Sequence, residues 1–318
     1  LEGGYRSILL SSGLAACAAS IMAFIKAGDH ILVSDSVYGP TRHYIKTVLA
    51  RCGVSASFYD PCIGPGIAAL FQPNTTLVFV ESPGSQTFEV QDIPAIAAAA
   101  HEKGAVVVMD NTWATPLFFK PFEHGVDVSV QAATKYIVGH SDAMLGVITA
   151  TRETWKTVRE FVFANGQSAG PDDVYLAQRG LRTLAVRLER HCQSGLAVAQ
   201  WLAARPEVEQ VLHPALPDAP GHALWRRDFK GASGLFSVVL KPCPASAFRG
   251  FINQLKLFRL GFSWGGFESL IMPFDPRAER EATRWPYSGP AFRLHVGLEA
   301  KEDLTHDLDV AFRQLANT

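Results

Sequence analysis

Charge imbalance is the first thing this 318-residue sequence lacks: Lys and Arg total 29, Asp and Glu 30, for a net charge of −1. With no basic surplus, neither nucleic acid nor an anionic membrane surface is an expected partner. Cysteine is also sparse. Cys17, Cys52, Cys62, Cys192 and Cys243 are odd in number, scattered, and never spaced C-x-x-C. That argues against a disulfide framework and a structural zinc site, and for a reducing, cytoplasmic setting with no metal. No apolar run approaches the ~20 residues of a membrane-spanning helix. The opening LEGGYRSILL carries no secretory-leader pattern and no Met; the chain begins mid-pattern, and the expectation is that a segment precedes it. No G-x-G-x-x-G follows the first predicted strand, which counts against a dinucleotide-binding oxidoreductase.

Hydrophobic residues make up 48% and charged residues 19%, the composition of a folded, enzyme-sized chain. The length suits a large domain plus a smaller one. In the first half, helical and β-prone segments alternate. SSGLAACAASIMAFIKAGD reads as a helix opening after Ser12 and closing near Gly28. HILVSD, VSASFYD, TTLVFVES, AVVVMD and VDVSVQAA read as strands, with helices in TRHYIKTVLARCG and IPAIAAAAHEKG. This alternation predicts an α/β fold, a mostly parallel sheet with helices on both faces. After about Leu181 the pattern changes to a long amphipathic helix (LAVRLERHCQSGLAVAQWLAARP) followed by mixed strands and helices. The predicted division is residues 1–181 as the large domain and 182–318 as a smaller α+β domain.

In an open α/β sheet, ligands bind beyond the carboxyl ends of the strands. The polar residues predicted there are Asp35 and Tyr38, Glu81 with Ser82 and Ser85, Asp110 with Asn111, Thr112 and Trp113, then Thr134 and Lys135. Ser11, Ser12 and Gly13 open a helix, whose first N–H groups form a ready anion site. An anion cradle, a carboxylate, an aromatic ring and a lysine are what pyridoxal phosphate (PLP) requires. The phosphate wants the helix N-terminus, the aldehyde an amine, and the pyridine nitrogen a carboxylate that keeps it protonated. Each residue also has a plainer reading. Asp110 can cap a turn, Lys135 can be a surface lysine, Tyr38 can be packing, and Ser11 and Ser12 can simply cap a helix. The spacing alone leaves PLP and other α/β enzymes open; the convergence of all these residues on one sheet end favours the cofactor.

The stretch QAATKYIVGHSDAM resembles the lysine segment of the Cys/Met-metabolism family of PLP enzymes, T-K-Y-x-x-G-H-S/T-D. SSGLAA, ESPGS, MDNTWATP, SWGGFESLIM and RLHVGLE resemble family segments in the same order, from about residue 1 to 315. The resemblance implies the aminotransferase-like fold (fold type I) and a PLP-dependent carbon–sulfur lyase. GFSWGGFESL has Trp264 where relatives acting at the γ-carbon carry Leu, and Phe262 where they often carry Glu. This resembles the β-eliminating branch, which implies cleavage of L-cystathionine to homocysteine, pyruvate and ammonia, and of other cysteine S-conjugates. A γ-acting relative is the alternative, and a non-catalytic binding module a further one, against which the intact Lys135, Asp110, Tyr38 and Arg293 speak.

Carried over residue by residue, the resemblance implies that Lys135 holds PLP and shuttles protons. Asp110 pairs with the pyridine nitrogen, and Tyr38 stacks on the ring and aids proton transfer. The amides of Gly13 and Leu14, with the Thr134 hydroxyl, hold the phosphate. Arg293 grips the substrate carboxylate, and Ser263 and Trp264 line the substrate pocket. It also implies a homotetramer, a dimer of dimers that share active sites. Two positions depart from the family: Ala132 replaces a phosphate-binding Ser, and Ser85 replaces an Asn. The resemblance further implies a Tyr and an Arg, lent to the neighbouring subunit, in a segment expected before residue 1.

Overall fold

Strands β2 (His30–Ser34), β4 (Thr75–Glu81), β5 (Val106–Asp110) and β6 (Val128–Ala132) form the centre of a seven-stranded sheet, here described from a computed structural model covering residues 1–316. With β1 (Arg6–Leu10), β3 (Ser55–Tyr59) and β7 (Gly146–Ala150), the strand order is β1-β7-β6-β5-β4-β2-β3. The pairs from β6 through β3 are parallel. Such strands are covered on both faces, so HILVS is buried at all five positions instead of alternating. Helices lie on both faces. Helix α1 (Gly13–Met22) packs its Cys17 and Ile21 into one core, and the helix Ile93–Glu102 packs Ile96 and Ala100 into the other.

The mostly parallel α/β sheet is as the alternation predicts, with an addition at its edge. RSILL and GVITA form an antiparallel border in which Ile148 pairs with both Ile8 and Val130. Neither was legible as a strand, because an antiparallel return needs no crossover helix and leaves no alternation to read. Helix α1 also ends at Met22 instead of near Gly28. Asp29 accepts the Lys26 amide at 2.9 Å and donates its own amide to the Lys26 carbonyl, closing a turn where the helix was expected to continue.

The second sheet contains β8 (Val208–Leu212), β9 (Leu235–Leu240), β10 (Arg259–Leu260), β11 (Leu270–Phe274) and β12 (Ala291–His295), in the order β10-β11-β12-β9-β8. One face is covered by the helices Leu184–Ala203, Ala245–Gln254 and Lys301–Ala316, where Leu202, Phe251, Phe292 and Phe312 form a core. The other face turns to the large sheet, and Trp113 donates its indole N–H to the Leu235 carbonyl at 2.9 Å. Side chains alternate along β12: Phe292 and Leu294 enter the helix-covered core, so Arg293 and His295 face the ends of the parallel strands.

Asp35, at the end of β2, has structural partners on the far segment 281–283. It accepts from Arg42 at 2.8 Å, from the amides of Glu281, Ala282 and Thr283, and from the Thr283 hydroxyl at 2.9 Å. These bonds tie the 279–283 segment back to the large sheet. Burial works against the charge, but the amides and Arg42 outweigh it and hold the carboxyl below its usual range. Removing one member of a buried pair leaves the other uncompensated. Asp35→Ala is therefore expected to cost about 3–5 kcal/mol, read as a fall in unfolding midpoint at neutral pH. Because the folded-state pKa is depressed, this stabilisation is complete above the ordinary carboxylate pKa and is lost as pH falls through the folded value. The gap between variant and parent should close in acid.

Candidate active site

At the carboxyl ends of β4, β5 and β6, with α1 above them, lies a cavity of about 360 Å³. Gly13, Leu14, Tyr38, Asp110, Thr134 and Lys135 all line it, as do Ser263 and Trp264. Eight of the nine predicted site residues therefore meet in one place. The ninth, Arg293, is not among the residues that line the cavity. It is buried and donates from Nη2 to the Phe262 carbonyl at 2.6 Å.

Helix α1 supplies the cradle. The Ser12 side chain and carbonyl cap Ala15 and Ala16, which leaves the amides of Gly13 and Leu14 in a first turn without intrahelical partners. The helix can come this close because position 13 is glycine: a Cβ there would fall 2.5 Å from the Ala132 methyl at the end of β6. Free amides at a helix N-terminus suit a phosphate, and they stand in the same cavity as a buried carboxylate and an amine. The residues present thus fit pyridoxal phosphate. Ala132 packs under Gly13 as a methyl, and Thr134 exchanges bonds with the backbone of Leu145 at 3.0 and 3.3 Å.

Asp110 ends β5 beside Glu81, its register partner at the end of β4. Thr112 donates both its amide (3.0 Å) and its hydroxyl (2.5 Å) to Oδ1, and the Cys17 thiol reaches Oδ2 at 3.6 Å. Burial raises the Asp110 pKa against these donors and the charge of Lys135. Burial, then the Asp110 charge, push Glu81 well above the usual carboxylate range, although its Oε2 accepts the Tyr38 amide at 2.7 Å. Two neighbouring buried carboxyls resist ionising together, so an added positive charge at this point is welcome.

Lys135 follows β6. Its Nζ donates to Ser263 Oγ at 2.8 Å and lies 5.2 Å from the centre of the Trp264 ring. Burial, then the nearby Arg293 cation, lower its pKa to about 8, with Asp110 opposing. The amine is thus easier to deprotonate than an ordinary lysine. Burial raises the Tyr38 phenol, with Glu81 adding to the effect, so Tyr38 keeps its proton.

Sequence reasoning named Glu81 and Thr112 only as strand-end residues and Cys17 only as a free thiol. Signals for two of them exist: D-x-T after a strand is a local turn in which the Asp accepts from the residue two on, and Cys17 stands one helical turn from Gly13, on the same face. The proximity of Glu81 to Asp110 comes from strand register, which the sequence does not display.

The model of the Cys/Met metabolism PLP-dependent enzyme family matches residues 1–313. Cystathionine beta-lyase MetC of Escherichia coli K12 is 46% identical over 321 residues, a match covering 99% of this chain and 81% of that protein. Cystathionine beta-lyase of Salmonella typhimurium LT2 is 45% identical over 321 residues, with the same two coverages. Among solved structures, cystathionine gamma synthase from Xanthomonas oryzae pv. oryzae superposes with a TM-score of 0.92 at 32% identity, covering 100% of this chain and 83% of that one. A lysine and a carboxylate facing a helix-end cradle, on a chain matched from its first residue to residue 313, lead to one conclusion: the chain belongs to the Cys/Met metabolism family of PLP-dependent enzymes.

Proposed function

We propose that the protein is a PLP-dependent carbon–sulfur β-lyase that cleaves L-cystathionine to homocysteine, pyruvate and ammonia, and that it also takes other cysteine S-conjugates. The observation that carries this reading is the Ser263–Trp264 turn closing directly on the Lys135 amine. The two bacterial cystathionine beta-lyases at 45–46% identity support it.

Bound PLP supplies a sink for the electron pair left when an amino acid loses its Cα proton. The chain's residues do the rest. The Gly13 and Leu14 amides hold the phosphate, with the Thr134 hydroxyl turning from its 3.3 Å bond to Leu145. Asp110, oriented by Thr112, keeps a proton on the pyridine nitrogen. Tyr38 covers the ring. Arg293, freed from the Phe262 carbonyl, grips the substrate carboxylate with its planar guanidinium. Lys135, with its depressed pKa, takes the Cα proton as base. The pair left at Cα then forms a Cα–Cβ double bond as the Cβ–S bond breaks with both its electrons going to sulfur, and the thiolate takes a proton from Lys135 or from Tyr38, whose phenol stays protonated. Water hydrolyses the three-carbon remainder to pyruvate and ammonia.

PLP-loaded protein given L-cystathionine is expected to release pyruvate, measured as the keto acid formed. Release of 2-oxobutyrate would instead assign the chain to the γ-acting members. The division at residues 181 and 182, a homotetramer built as a dimer of dimers, and a cytoplasmic location belong to the same proposal. The first is supported by the two sheets and the turn that separates the helices Pro171–Leu181 and Leu184–Ala203. The assembly is supported by family membership. Among the described residues no helix is long and apolar enough to cross a membrane.

A further inference from the structure

Three consecutive residues press on Lys135. Ser263 meets its Nζ, the Trp264 ring faces the same atom, and the Gly265 backbone lies so near that a Cβ there would fall 2.8 Å from Lys135 Cα. Gly265 also has φ +85°, a left-handed conformation open to glycine. This turn, 262–265, belongs to no helix or strand. Two side chains of one strand hold its ends. Arg293 donates to the carbonyl of Phe262, and His295 Nε2 lies 3.1 Å from both the amide of Gly265 and the carbonyl of Gly266. They can act together because they are i and i+2 on β12 and so share a face.

His295 is itself fixed. It is 1% exposed, and its ring stands 5.9 Å from the Tyr136 ring and 5.2 Å from that of His191, which the 184–203 helix supplies. His191 is anchored through Nδ1 to the Val296 carbonyl at 2.8 Å, and Tyr136 accepts the Gly234 amide at 3.0 Å. The groups facing His295 are His191, Arg293 and Lys135, all of which disfavour a charge on its ring, as burial does before them. The β-elimination steps use none of His295, His191 or Tyr136.

We propose that His295 is a positioning residue for Lys135: by accepting the Gly265 amide through Nε2, or in its other tautomer donating from Nε2 to the Gly266 carbonyl, it sets Ser263 and Trp264 against the lysine amine, while Arg293 is left able to exchange Phe262 for a substrate carboxylate. When Arg293 leaves Phe262 for a substrate, the His295 contact remains at the other end of the turn. The role in turnover rests on the β-lyase reading; the effect on the lysine does not.

The test uses PLP-loaded protein and two readouts. One is the pH midpoint of the visible absorbance of the cofactor joined to Lys135, taken without substrate. The other is kcat and KM for L-cystathionine. His295→Leu is expected to displace the midpoint and to lower kcat by roughly 10–100-fold, since a misplacement near 1 Å can cost about 10²-fold. His295→Gln, whose amide reaches about as far as Nε2, should return both readouts to within a few-fold of the parent. Gly265→Ala, which moves the same turn without touching β12, should reproduce the His295→Leu shift. Retention of the parent midpoint and kcat by cofactor-loaded His295→Leu overturns the proposal. If that variant does not fold, His295→Asn, too short to reach Gly265, decides in its place: a parent-like midpoint in both Asn and Gln variants overturns it equally. A parent protein that forms no pyruvate would sink the β-lyase reading and leave the midpoint comparison to judge His295 alone.

Discussion

Lys135→Ala is expected to abolish pyruvate release from L-cystathionine, a loss on the order of 10⁴-fold or more. The figure rests on what the amine does. Proton transfer by a positioned side chain contributes about 10²–10⁴-fold, and Lys135 is asked to move a proton from Cα and to deliver one to sulfur. It is also the only amine among the described residues that line the cavity. Tyr38 cannot replace it as base, because burial holds its phenol protonated. The substitution should leave the fold intact, since the one side-chain hydrogen bond Nζ makes is to Ser263. The variant should therefore keep the parent's unfolding behaviour while its cofactor, no longer held covalently, is removed by dialysis. Turnover within about tenfold of the parent would show that another group does the chemistry.

Asp110→Asn should separate binding from catalysis. The asparagine carbonyl can accept both Thr112 donors as Oδ1 does, and its volume is unchanged, so the local turn survives. An NH2 then replaces Oδ2. That exchanges a charged acceptor for a neutral donor, which cannot keep a proton on a pyridine nitrogen. PLP should remain bound through Lys135 and the phosphate cradle. Turnover should fall by about 10²–10³-fold, the usual cost of removing a preorganised electrostatic partner. Cofactor stoichiometry and kcat/KM, measured on the same preparation, check both halves. Without cofactor the variant should be at least as stable as the parent, since burial makes that carboxylate costly to ionise beside Glu81. An unchanged kcat/KM would mean the carboxylate is not needed.

Much of the fold was legible because parallel β/α architecture writes itself locally. HILVS, TTLVFVE and VVVMD are runs of buried-strand length, and the polar residue that ends each run marks the ligand edge of the sheet. That is why Asp110 and Lys135 could be proposed as neighbours although they stand 25 residues apart in the chain. The antiparallel border of RSILL and GVITA stayed hidden, because pairing partners 142 residues apart leave no local trace. Beyond the end of α1 at Met22, a separate turn at 26–29, closed by the Asp29 side chain capturing the Lys26 amide, takes the place of the expected helix, and a strongly helical composition does not show it.

The sequence by itself determined the chemistry: an amine, a carboxylate and a glycine-opened helix at the ends of successive parallel strands, in the order and spacing of a PLP family. Those residues lie within elements whose period and end signals are local, so a linear reading reaches them. Tertiary structure alone decided how that chemistry is held. Arg293 and His295 face the lysine because β12 pairs with β9 and β11 in a register that turns Phe292 and Leu294 into the helix-covered core. The Ser263–Trp264 turn that meets Lys135 is bonded at both its ends by side chains of that strand. Register is a property of paired strands, set by which face can be buried, and a one-residue slip would turn both side chains away from the lysine.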